Sequence, residues 1–88
     1  MTRVVSRARN LRLDLAARLG RPVSVEEVAE GAGIARTALT RIELNQTERI
    51  DFDTITRLCK FYGVGIGDLL TLEEEDAEER YNPALLAA

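Results

Sequence analysis

Apolar positions recur at helical spacing through most of this chain, and glycine, proline or polar loops interrupt them at short intervals. Val4, Ala8, Leu11, Leu15 and Leu19 follow one another at intervals of four, three, four and four, which predicts a first helix over about 5–19. Gly20 and Pro22 end it. Val25, Val28 and Ala29 make a second stripe on a short helix that starts after Ser24 and ends near Gly31. Ser24-Val25-Glu26-Glu27 has the form of a capping box: the serine oxygen accepts from the amide of Glu27, and the Glu27 carboxylate reaches back. Gly33 suits a left-handed turn into a third helix, over about 35–44 and ended by Asn45. Asp51 caps a fourth, over 52–62, with a stripe of Phe52, Ile55, Leu58, Cys59 and Tyr62, stopped at Gly63. A fifth helix is expected over 66–72, with Leu69 and Leu70 in the core. The pattern holds no strand, so the predicted class is all-α.

The stretch from Ser24 to Glu43 changes this picture from a fold to a function. Two short helices meet at a glycine turn, and the second has two unlike faces. Leu39 and Ile42 lie on one side; Arg36, Thr37, Thr40 and Arg41 lie largely on the other. A helix-turn-helix requires this, because its second helix packs on a core with one face and meets DNA with the other. The threonines are poor helix formers, so propensity does not account for them, whereas hydroxyls facing phosphates or base edges do.

The net charge of −3 looks wrong for a DNA binder until it is divided along the chain. Residues 1–41 hold eight Arg and four acidic residues, a balance of +4; residues 42–88 hold four basic and eleven acidic residues, a balance of −7. DNA responds to the local field, since a Debye length is only about 8 Å at physiological salt. The acidic run Glu73-Glu74-Glu75-Asp76-Ala77-Glu78-Glu79-Arg80 is too charged to bury, and Asn82-Pro83 breaks any helix beyond it. The expected division is therefore a domain over 1–72 and an acidic tail over 73–88.

Composition also narrows the chemistry. There is no histidine, and Cys59 is the lone cysteine, so no internal disulfide or zinc-ligand spacing exists. No Gly-rich phosphate loop is present either, and neither catalysis, a cofactor nor a metal is expected. No apolar run is long enough to span a membrane, and the basic N-terminus lacks the apolar segment of a signal peptide, which together point to the cytoplasm.

From Leu11 to Leu70 the chain resembles the phage-repressor DNA-binding domains of the Cro, lambda-repressor or Xre type. The residues that carry the resemblance are Ser24-Val25-Glu26-Glu27-Val28-Ala29, Gly33-Ile34, Leu39 with Ile42-Glu43, Phe52-Asp53 with Ile55 and Leu58, Gly63-Val64 and Asp68-Leu69-Leu70. The resemblance implies five helices, a sequence-specific regulator of transcription (a repressor above all), double-stranded DNA as partner and binding as a homodimer. It assigns base reading to Ala35, Arg36, Thr37, Thr40 and Arg41, and backbone contacts to Asn45, Gln46 and Thr47. Val25 stands where the family commonly has Gln, which leaves the Ser24 hydroxyl and the helix N-terminus to hold a phosphate. Ala35 stands where Ser or Thr often caps the reading helix. The resemblance also pairs Glu43 with an arginine of the first helix, either Arg12 or Arg18.

Arg3, Arg7 and Arg9 form either a basic arm along the phosphates or a solvated helix start. Cys59 fits the core stripe better than a redox role. Helix five and Leu85-Leu86 are candidates for a dimer surface. Two other readings remain beside the repressor. In an antitoxin, the acidic tail takes a protein partner. An interaction module that has lost DNA binding suits Val25 and the acidic total.

Overall fold

The computed structural model describes residues 2–74, and within them the helices end where the sequence supplies caps. The order is β1 (Thr2–Ser6), α1 (Ala8–Leu19), α2 (Val25–Ala32), α3 (Arg36–Glu43), α4 (Phe52–Tyr62), α5 (Ile66–Leu69) and β2 (Leu70–Glu74). Ser24 accepts from the Glu27 amide at 3.1 Å, and Asp51 accepts from the Thr54 amide at 2.7 Å. That bond to the Thr54 amide holds the Asp51 carboxyl below its ordinary range. Gly33 (φ 74°) and Asn45 (φ 57°) both take the left-handed conformation, one turning α2 into α3 and the other ending α3. Residues 75–88, which hold most of the acidic tail and Leu85-Leu86, lie outside the described residues.

The all-α expectation needs correction, because β1 and β2 form a two-stranded antiparallel sheet. Val4 faces Leu72 and Val5 faces Thr71 across it. By spacing alone Val4 belongs to the stripe of the first helix, but Thr2, Val4 and Val5 are β-branched and pair well as a strand once a partner exists. That partner lies at the far end of the domain, so no local periodicity announces it. The same pairing shortens α5: Leu70 is already extended (φ −124°, ψ 132°), and the chain from there to Glu74 is strand. The Arg7 amide donates to the Leu69 carbonyl at 2.7 Å and closes the sheet onto α1 and α5.

Three smaller expectations also change. The Glu27 carboxylate does not reach back to the cap but takes a two-pronged ion pair with Arg21 (3.0 and 2.7 Å). A charge-assisted fork outweighs a single bond to a neutral amide. This pairing lowers the Glu27 pKa and raises that of Arg21. Phe52 heads the predicted stripe of α4 yet is 87% exposed, and Leu19 at the end of α1 is 51% exposed. Both sit on the first or last turn of their helices, where the stripe runs past the core.

That core joins every helix: Ala8, Val28, Leu39, Leu58 and Leu69 are fully buried. Gly31 permits close packing of α2 on α4, since a Cβ there would clash with the Phe61 ring. Phe61 in turn meets Tyr62 edge-on, with centroids 5.1 Å apart. The Tyr62 hydroxyl is buried without a hydrogen-bond partner among the described residues. Burial, and then the nearby Glu43 charge, push its pKa up to about 12. A buried hydroxyl left unpaired costs about 1–3 kcal/mol. Tyr62→Phe is therefore expected to leave stability unchanged or raise it by up to about 1 kcal/mol in urea melts. A clear loss would mean that the hydroxyl finds a partner in solution.

Candidate nucleic-acid interface

α3 is oriented by what it buries. Leu39 is fully buried and Ile42 is 3% exposed, and Glu43 joins them on the inner face at 7%. A buried carboxylate needs a partner, and Arg12 of α1 supplies it. Arg12 Nε lies 2.9 Å from Glu43 Oε2, Nη2 lies 2.9 Å from Oε1, and Nη1 donates to the Val23 carbonyl at 2.9 Å. One guanidinium thus holds α1, the segment before α2 and the end of α3 in register. The hydrogen bond to Glu43 raises the Arg12 pKa. Between the two candidates left by sequence, the structure selects Arg12; Arg18 lies instead beside Leu11, Phe61, Tyr62 and Val64.

Packing this inner face fixes the outer one. Ala35, Arg36, Thr37 and Arg41 are exposed, and Thr40 is half-buried. Arg36 and Arg41 make no side-chain hydrogen bond or ion pair among the described residues, whereas Arg12, Arg21 and Arg57 are all committed to carboxylates. An exposed guanidinium without an internal partner is free to take a phosphate or a guanine edge with its fork. Ala35 occupies the N-cap of α3 without a side-chain bond. Ser24 caps the end of α2 away from the turn, about 12 Å along that helix from its close, so it stands apart from the outer face of α3.

In the loop after α3, two of the three polar side chains have partners within the domain. Asn45 Oδ1 accepts from the Ser6 amide at 2.7 Å, tying the loop to β1, and Thr47 Oγ1 donates to the Arg49 carbonyl at 2.6 Å. Gln46 is exposed. Arg49, absent from the sequence-based candidates, shares a small cleft of about 150 Å³ with Arg41 and Thr47. A loop residue carries no periodicity, and its basic character so close to the end of α3 is the one signal the sequence offers for it. Among the described residues no group of three His, Cys, Asp or Glu could hold a metal ion, and no helix is long and apolar enough to cross a membrane.

A glycine turn between two short helices, the second with outward arginines and a buried inner face, defines a helix-turn-helix domain. The chain belongs to the Cro/C1-type helix-turn-helix DNA-binding domain family, whose sequence profile matches residues 15–75. The match begins inside α1, so β1 lies outside it. The chain is also similar to the cryptic phage CTXphi transcriptional repressor RstR of Vibrio cholerae, at 32% identity over 75 residues. The aligned region is 85% of this chain, and the chain spans 61% of that relative's length. No solved structure matches the chain.

Proposed function

We propose that this protein is a sequence-specific, double-stranded DNA-binding transcriptional repressor that reads the major groove with α3 and binds as a homodimer. The observation that carries the reading is the division of α3, with Leu39, Ile42 and Glu43 held inward and Arg36 and Arg41 outward, without a side-chain partner among the described residues. Ala35, Thr37 and Thr40 complete the base-facing surface. The Ser24 end of α2 and the loop of Asn45, Gln46 and Thr47 meet the backbone on either side. The similarity to a phage transcriptional repressor supports the regulatory role. One such domain covers few base pairs, so two copies bind half-sites about one turn apart, roughly 34–36 Å. The protein acts in the cytoplasm, without cofactor or catalysis.

The test begins with selection of bound duplexes from a random library. Arg36→Ala and Arg41→Ala are each expected to weaken binding to the selected site by about 1–3 kcal/mol, with thermal midpoints within a degree or two of wild type. Wild-type affinity in both variants would remove α3 as the reader.

A further inference from the structure

A cleft of about 480 Å³ opens between the end of α2 and one face of α4. Asp53, Arg57 and Lys60 follow at i, i+4 and i+7, so they share that face, and all three are exposed. Arg57 Nε donates to Asp53 Oδ2 at 2.7 Å. Its two terminal nitrogens make no hydrogen bond among the described residues, whereas Arg12 and Arg21 engage both of theirs. Lys60 makes no side-chain hydrogen bond or ion pair among the described residues. Two cations against one carboxylate leave the cleft net positive. An exposed ion pair on one helix adds little stability, so the bond to Asp53 serves mainly to orient the guanidinium.

The guanidinium is held against the turn of the helix-turn-helix. A Cβ built on Gly33 would lie 2.8 Å from Arg57 Nη1, so this nitrogen lies over the bare backbone of the glycine. α3 begins three residues later, at Arg36, and three residues span at most about 10 Å. The N-terminal residues of a recognition helix are the ones that meet base edges, and the major groove is only about 12 Å wide between its phosphate walls. A cation that close to the start of α3 therefore stands at a groove wall. We infer that Arg57 and Lys60 hold neighbouring phosphates of the DNA backbone beside the start of α3. This inference rests on the DNA reading by α3 in the proposed function, and adds a contact at the opposite end of that helix from Asn45, Gln46 and Thr47.

The chemistry suits a phosphate. With Nε fixed by Asp53, the two unbonded nitrogens of Arg57 form the fork that takes two oxygens of one phosphate, and Lys60 supplies a point charge one turn along for the next. The two glycines at the end of α2 keep the cleft open. A side chain at Gly31 would collide with Phe61, and one at Gly33 with Arg57. No buried side-chain polar atom without a partner lines the cleft among the described residues, so it is not built to enclose a free anion. A duplex instead presents its phosphates in rows at the surface, where exposed cations meet them. Such contacts position a protein on DNA and carry no sequence information directly. Arg57 and Lys60 therefore set how α3 enters the groove, while Arg36 and Arg41 choose the site.

The test measures binding of the full chain to the selected duplex and to an unrelated one, by fluorescence anisotropy over a series of salt concentrations. Circular dichroism establishes that each variant is folded. Arg57→Gln and Lys60→Gln are each expected to weaken binding to both duplexes by the same factor. Each is also expected to reduce the slope of log affinity against log salt by about 0.9, and the double variant by about 1.8. Arg18→Gln removes the same charge from the last turn of α1, outside the cleft, and is expected to keep the wild-type slope. Wild-type slopes in both cleft variants, a loss confined to the selected duplex, or an equal loss of slope in Arg18→Gln overturns the inference. The two proposals fail separately. Wild-type affinity for the selected site in Arg36→Ala and Arg41→Ala removes α3 as the reader, while the salt slope of Arg57→Gln decides the phosphate contact.

Discussion

Glu43→Ala is expected to cost about 3–5 kcal/mol, the largest loss for a single substitution in this domain. The side chain is 4% exposed, and its removal leaves the Arg12 guanidinium, itself 18% exposed, buried without a counter-charge. A folded domain has only about 5–15 kcal/mol of stability, and one this small sits toward the low end. Much of the population should then unfold at 37 °C. Urea melts of wild type and variant, compared at equal slope, give the difference. A loss below about 1 kcal/mol would mean that water reaches the guanidinium and replaces the carboxylate. Exchanging both partners for apolar residues of similar volume, as in Arg12→Met with Glu43→Leu, should recover most of the loss, since no charge then remains to be paired. This double variant separates the cost of an orphaned charge from the cost of lost packing.

Leu39→Ala is the second large effect, expected at about 2–5 kcal/mol. Leu39 is fully buried on the face of α3 that also carries Ile42. Its truncation removes apolar area and opens a cavity that neighbouring side chains fill only in part. Because Arg36 and Arg41 on the outer face are untouched, the folded fraction should still bind the selected site. Binding measured against folded concentration is therefore expected to match wild type while the urea midpoint falls. A loss of a few tenths of a kcal/mol would mean that α3 is rotated away from this orientation. Together with Arg36→Ala and Arg41→Ala, this variant tests both faces of one helix by opposite readouts.

Much of the domain is written locally in the chain. Ser24 and Asp51 are followed three residues later by the amides they cap, and Gly33 and Asn45 occupy the positions where φ must be positive. The stripes of α2 and α3 repeat at helical spacing. These signals act over one or two turns, so a sequence displays them in full. They are enough to place the helix-turn-helix and to say which face of α3 is buried.

What the sequence hides is what distant residues do to one another. Val4 and Val5 continue a helical stripe on paper, but Leu72 and Thr71 pair with them across the whole domain and make a strand. Backbone groups need partners, and an edge from the other end of the chain satisfies them as well as a helix does. The choice of Arg12 over Arg18 for Glu43 depends on where α1 lies relative to Val23. The exposure of Phe52, at the head of a stripe otherwise directed inward, reflects where α4 enters the core. The helices, their caps and the division of α3 were legible from residue order alone, because they depend on hydrogen bonds and periodicity within a few residues. The sheet, the choice of Arg12 as the partner of Glu43 and the cleft between α2 and α4 emerged only from packing, because each joins segments whose meeting depends on the placement of all the others.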